Sequence, residues 1–198
     1  YIIQPTHASS KLGKIEFPTS GSGVAQHHFI SGVAALHSFW YPEALQEFKN
    51  STKADPNFAM GYWGEAMAHN APLWERQDSK LAKTALSKIS DISALTQRER
   101  DYIQAVQLLY GKGEKPARDK AYSNAMKKIY TKYPNDLEAA CFYSLSLLGI
   151  ARNTGGEIKL KVDSGAIALE VYEQNPDHPC AAHYATHSFD HPDLARLA

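Results

Sequence analysis

One kind of boundary recurs along the sequence. A proline followed by asparagine or aspartate ends a helix-like run at three places: Asp55-Pro56-Asn57, Tyr133-Pro134-Asn135 and Asn175-Pro176-Asp177. Each boundary precedes a stretch of small and aromatic residues: Ala59–Gly64, Glu138–Tyr143 and Cys180–Tyr184. Because proline lacks the amide donor that continues a helix, such boundaries are typical of helices that end and restart in the same way. The sequence therefore predicts an internally repeated helical protein.

Nine helices are predicted between these boundaries, and the alternating pattern of strands is absent. They lie near residues 24–39, 42–53, 58–70, 79–90, 97–110, 116–132, 136–151, 162–174 and 179–189. Pro42 and Pro179 suit the first position of a helix, where a missing amide donor costs nothing. Thr96 and Glu99 match a capping box, in which each side chain bonds to the other residue's backbone amide. The predicted fold class is therefore all-α.

The first repeat unit has the clearest internal spacing. Gly32, Ala44, Phe48 and Pro56 are separated by 12, 4 and 8 residues, where tetratricopeptide repeats place small, small, aromatic and proline residues. Small residues let two antiparallel helices approach closely, and the aromatic ring fills the gap between them. One unit cannot bury its apolar face alone, so neighbouring units must stack. We therefore expect tetratricopeptide-like antiparallel helical hairpins stacked into a right-handed solenoid.

The predicted organisation is an extended N-terminal segment over residues 1–23 and one helical repeat domain over residues 24–198. Twenty-one basic and twenty-one acidic side chains balance, which argues against binding to nucleic acid. No apolar run approaches the roughly 20 residues of a membrane-spanning helix, so we expect no membrane span and a soluble chain.

The cellular compartment stays open at this point. The chain begins at Tyr1 rather than Met, so an N-terminal segment is expected to be processed away or absent, and export after removal of a signal stays open. Cys141 and Cys180 are the only cysteines and form no CxxC pair. The sequence therefore predicts neither a disulfide framework nor a thiolate zinc site.

Four segments carry a family resemblance. They read GVAALHSFWYPEA over residues 32–44, AMGYWGEAM over 59–67, PLW over 72–74 and HPCAAHYATHSFD over 178–190. Together they resemble a family of bacterial tetratricopeptide repeat proteins across residues 17–198. The resemblance implies the same helical repeat fold, while the biochemical role of that family is poorly defined. Its members usually continue into further helices with another pair of histidines, so a site completed there is expected to be missing here, completed by another subunit, or lost in a fragment.

Histidines are concentrated near the end of the sequence. Four of the nine lie within 14 residues: His178, His183, His187 and His191. His183 and His187 stand four residues apart, so they share one face of a helix and are predicted ligands of a divalent metal such as Zn or Cu. Asp190 is a third predicted ligand.

An earlier helix repeats this spacing with Glu65 and His69, which complete the predicted set. A packing interpretation competes with the metal site. Counted from the preceding proline, His183 corresponds to Trp63 and Cys141, which are packing residues. A metal-activated water, with Glu65 as the base, is the only enzymatic mechanism that the sequence supports.

Aromatic and histidine side chains at helix ends are the second set of candidates. His37, Trp63, Trp74 and Tyr184 are predicted to line a groove for a protein or peptide, with core packing as the alternative. Three functions follow: a scaffold for protein–protein interaction, a metal-binding protein or metal-dependent enzyme, and a self-assembling protein that binds further copies of itself.

Overall fold

The computed structural model describes residues 12–153 and 157–197, and helix accounts for 69% of it. The nine α-helices of this part of the chain are α1 Gly23–His37, α2 Tyr41–Ala54, α3 Ala59–Ala68, α4 Ser79–Leu86, α5 Gln97–Leu109, α6 Lys115–Lys132, α7 Leu137–Asn153, α8 Ile158–Gln174 and α9 Ala181–Phe189. Each matches one predicted helix, so the all-α prediction is confirmed.

The starts of α8 and α9 differ from the prediction, and two short strands are present. Helix α9 begins at Ala181, because Pro179 and Cys180 form a turn before it, and α8 begins earlier than predicted, at Ile158. The strands β1 Asn70–Ala71 and β2 Arg76–Gln77 pair antiparallel around the short 3₁₀ helix Pro72–Trp74. These strands are too short to show an alternating pattern in the sequence.

Close packing between successive helices depends on small residues. The Phe48 ring of α2 is fully buried, and a Cβ atom added at Gly32 of α1 would lie 2.7 Å from it. Gly64 of α3 lies against the same ring. The helices can therefore approach only because both positions lack a side chain, a role that the spacing predicted for Gly32 but not for Gly64.

The N-terminal strap, residues 12–22, crosses the helices without forming one. The Lys14 amide donates to the Asp177 carbonyl oxygen at 3.0 Å, in the turn between α8 and α9. Phe17 is buried against the ring of Tyr102 in α5, at 5.0 Å between centroids. Ser20 donates from both its amide and its hydroxyl to the Glu99 carboxylate, at 2.7 and 2.8 Å.

Glu99 also completes the predicted capping box. Its carboxylate accepts from the Thr96 amide at 2.9 Å, and its own amide donates to the Thr96 hydroxyl at 3.2 Å. One buried side chain thus caps α5 and holds the strap. Within the described residues, no helix has the length and apolar character needed to cross a membrane.

Candidate functional site

A chain of buried polar side chains joins α1, α7 and the turn before α9. Glu138, in the first turn of α7, lies between two histidines, with Oε2 2.7 Å from His37 Nε2 and Oε1 2.9 Å from His178 Nε2. The Tyr184 hydroxyl lies 2.8 Å from His37 Nδ1. At most 3% of any of these four side chains is exposed. We call Tyr184, His37, Glu138 and His178 the buried network.

Hydrogen bonding fixes which nitrogen carries each proton in the buried network. An ionised Glu138 only accepts, so both imidazoles donate to it through Nε2–H. His37 Nδ1 is then an acceptor for the Tyr184 hydroxyl. His178 Nδ1 is an acceptor for the Cys180 amide, at 3.3 Å. The two rings and the carboxylate therefore satisfy one another's hydrogen bonds.

The charge state follows from burial and these contacts. Burial by itself would raise the pKa of Glu138, but His37 and His178 outweigh it, through the positive charge they carry once protonated in acid and through their hydrogen bonds, and lower the pKa to about 2. Burial lowers the pKa of His37 by more than Glu138 raises it. At neutral pH the network therefore carries an ionised Glu138 beside a neutral His37.

Cys141 and Cys180 form a disulfide at the His178 end of the buried network. Cys141 lies one turn after Glu138 on α7, Cys180 caps α9, and their Cα atoms are 6.0 Å apart. Closing a loop with a sequence separation of 39 residues stabilises the fold by about 4 kcal/mol. The prediction that the chain has no disulfide is therefore wrong, because a disulfide needs cysteines that are close in space, not a CxxC spacing. Cys141 lies seven residues after Pro134 and Cys180 four residues after Pro176, so the two cysteines occupy different positions in their units and no local pattern pairs them.

The same cysteines and His178 form a compact set of metal-ligating groups. Cys141 Sγ lies 3.6 Å from His178 Nδ1. Within residues 12–153 and 157–197, Cys141, His178 and Cys180 are the only group of three or more His, Cys, Asp or Glu residues whose ligand atoms lie within 4.8 Å of one another. These residues could hold a metal if the sulfurs were not bonded to each other.

A second site lies at the surface, where the turn between α1 and α2 meets α9. Phe39 has φ 60°, the left-handed conformation that only the surrounding structure stabilises in a residue with a side chain. Its ring lies 4.3 Å from His183, 5.4 Å from His187 and 5.4 Å from Trp74, between centroids. Tyr41 stacks on Phe39 at 6.0 Å. We call Phe39, Tyr41, Trp74, His183 and His187 the aromatic–imidazole patch.

The two histidines of this patch are neutral bases. His183 Nδ1–H donates to the His37 carbonyl oxygen at 2.8 Å, which leaves the lone pair on Nε2. The His183 and His187 rings are 5.0 Å apart, and burial lowers the pKa of both. A backbone carbonyl that fixes the tautomer in this way is typical of metal-ligating histidines.

The other predicted ligands occupy separate places. Asp190 is exposed at the end of α9, and its charge acts on His187. Glu65 is buried on α3, where it accepts from the Thr52 hydroxyl at 2.8 Å, and His69 caps the same helix. Within the described chain these residues do not form a group of three ligand atoms with His183 and His187. As one set of ligands they stay a prediction.

The predicted groove residues divide by burial. His37, Trp63 and Tyr184 are at most 1% exposed, whereas Trp74 is 49% exposed. Trp63 packs among aromatic rings that include Phe142, at 5.3 Å between centroids. The packing interpretation fits the three buried positions, and Trp74 alone offers a surface to a partner.

Comparison with known proteins gives no match to a family model, a curated protein or a solved structure. The fold defines the class: an all-α protein with a disulfide, a buried histidine–glutamate network and an aromatic surface patch.

Proposed function

We propose that the chain is a tetratricopeptide-type scaffold that binds an extended apolar segment of another protein at the aromatic–imidazole patch. The stacked, right-handed solenoid belongs to this proposal. Its support is that most successive helices pack on each other, as α1 and α2 do across a connection of three residues.

The observation that carries the proposal is the exposure of tryptophan on a fixed support. Trp74 is 49% exposed although Phe39 and Tyr41 hold its ring edge-on, at 5.4 and 6.1 Å. Trp40, the next residue after Phe39, is 53% exposed. Large aromatic side chains that are held rigidly lose little entropy on binding, so they dominate protein interfaces. The neutral imidazoles beside them favour an apolar segment over a charged one.

A peptide display selection tests the proposal. Wild-type protein is the bait, and the enriched peptides are remeasured against Trp74→Ala and against Tyr172→Ala, a control at a residue that is 47% exposed on α8. We expect Trp74→Ala to weaken binding about tenfold or more and Tyr172→Ala to leave it unchanged. A selection without enrichment, or equal binding by both variants, would reject the patch as a binding surface.

Another copy of this chain would be one such partner. Size-exclusion chromatography with light scattering over a range of concentrations tests self-assembly. A concentration-dependent mass that Trp74→Ala abolishes would identify self-assembly, and a constant monomer mass would exclude it.

Metal binding by His183 and His187 is the second candidate function. The bond from His183 Nδ1–H to the His37 carbonyl favours it, because this bond leaves Nε2 available as a ligand. We expect Zn²⁺ or Cu²⁺ to bind stoichiometrically to the wild type and to His191→Ala, and to be lost from His187→Ala. Equal metal content in all three would reject the pair as ligands.

The disulfide also supports export of the chain. Disulfides form and persist in oxidising compartments and are rare in the cytosol. We infer that the chain functions outside the cytosol, and cell fractionation tests this: recovery in the cytosolic fraction alone would contradict it.

A further inference from the structure

The disulfide between Cys141 and Cys180 has unusual neighbours for a structural cross-link. A disulfide has no strong hydrogen-bonding atom and needs none of the buried polar side chains around it. Yet His178 lies 3.6 Å from Cys141 Sγ, and Glu138 lies behind His178. Burying an ionised carboxylate such as Glu138 costs free energy, which the disulfide does nothing to offset.

The orientation of His178 matches that of a metal ligand. Its Nε2–H is donated to the Glu138 carboxylate at 2.9 Å, so the Nδ1 lone pair lies on the side of the sulfurs. Carboxylate–histidine pairs of this kind orient the ring and raise its basicity at zinc sites. The only other contact of Nδ1 with a protein donor among the described residues is the 3.3 Å bond from the Cys180 amide, a long one that a metal would replace.

We propose that Cys141, Cys180 and His178 form a buried Zn²⁺ site that exists only when the disulfide is reduced. Two thiolates and one imidazole are a donor set that Zn²⁺ prefers, with a fourth position left for water or an added ligand. Zn²⁺ neutralises the two thiolates that form as it binds, so a divalent cation is the fitting partner. Glu138 is a positioning residue in this site, because it acts on the metal through His178.

Conversion of the disulfide into the zinc site consumes one external dithiol and one Zn²⁺ ion. An external dithiol supplies two electrons and two protons, the Cys141–Cys180 bond breaks, and the dithiol becomes its cyclic disulfide. Zn²⁺ then replaces the two thiol protons, which leave to solvent. Both sulfurs are fully buried, so the reductant and the metal must enter through a local opening of the fold.

Cobalt substitution tests the proposal on the full chain. Protein is reduced with dithiothreitol, freed of the reductant without oxygen, and titrated with Co²⁺. We expect a thiolate-to-cobalt charge-transfer band that one equivalent of Zn²⁺ abolishes. The oxidised protein should give no band, and neither should reduced Cys180→Ser. His187→Ala should keep it, which separates this site from the surface histidines.

A second variant tests the role of Glu138. Glu138→Gln should retain the band but weaken Zn²⁺ affinity about 10- to 100-fold, with circular dichroism showing that it is folded. The proposal is overturned if reduced wild type gives no band, if oxidised protein gives the same band, or if the reduced protein binds only Cu⁺. If Glu138→Gln does not fold, the wild-type and Cys180→Ser measurements still decide.

Discussion

The buried histidines and the surface histidines differ in what their ring nitrogens do. In His37 and His178 both nitrogens contact the protein, and Glu138 binds the two rings together. In His183 one nitrogen donates to a backbone carbonyl, and Nε2 makes no hydrogen bond to the described residues. The nitrogens of the buried pair are therefore occupied by contacts within the fold, whereas His183 keeps one nitrogen available for a ligand. Residue type and closeness in sequence did not separate these roles: His178 and His183 are five residues apart.

The largest difference between the two regions is expected when Glu138 is removed. Glu138→Ala leaves the Nε2–H donors of His37 and His178 buried without their shared acceptor and should lower the free energy of unfolding by about 2–6 kcal/mol. Urea denaturation measures it. Glu47→Ala is the matched control, since Glu47 also pairs with a histidine, His28, at 2.6 Å, but both are about 30% exposed. That control should cost about 1 kcal/mol or less, and equal losses would contradict the difference.

Acid should weaken the buried region next. The folded pKa of His37 lies below its usual 6.5, and that of Glu138 is about 2 against 4.5, so the unfolded chain binds more protons at acid pH. Their stabilisation is present above pH 6.5 and is lost as pH falls towards 2, with Glu138 accounting for about 3 kcal/mol. Urea midpoints between pH 8 and pH 3 measure this loss. A Glu138→Gln variant should show a flatter profile, and stability that increases towards acid would refute the assignment.

A smaller effect is expected at the tyrosine end of the buried network. Tyr184→Phe keeps the ring in the core but removes the hydroxyl that donates to His37 Nδ1, so it should cost about 1–2 kcal/mol. Tyr172→Phe, at an exposed tyrosine, should change nothing. Thermal unfolding of both variants checks this, and a Tyr184→Phe protein as stable as the wild type would show that the bond contributes no net free energy.

The smallest effect is expected at the surface pair. His187→Ala should change the free energy of unfolding by no more than about 0.5 kcal/mol, because the residue is only partly buried and no hydrogen bond to the described residues depends on it. The same urea measurement applies. A loss above 1 kcal/mol would mean that His187 packs as a core residue, which is the interpretation that competes with the metal site.

Local patterns were enough to predict the helices. Proline boundaries and the Thr96 capping box act within a few residues of chain, and His183 and His187 share a face because four residues make about one helical turn. The buried network was missed since its partners are distant: Glu138 is 101 residues from His37 and 40 from His178. Such contacts depend on how helices stack, which no short pattern encodes.

Local sequence patterns also could not predict which aromatic rings are buried. Trp63 and Trp74 are both predicted to line the groove, yet one is 1% and the other 49% exposed. The difference arises because Trp63 lies on the side of α3 that meets Phe17 of the strap, at 5.7 Å, and the strap has no helical pattern to predict its path.

The N-terminal strap affects how cooperatively the protein should unfold. In an array of hairpins each unit contacts only its neighbours, so the ends can melt while the middle stays folded. Here Lys14 is bonded to the turn after α8, Phe17 is buried against α5, and Ser20 is held by Glu99. A segment from before the first helix thus contacts both α5 and the turn between α8 and α9, so it links helices that are distant in sequence. Their melting is coupled, and heat should dissolve the described fold in one cooperative step rather than unit by unit.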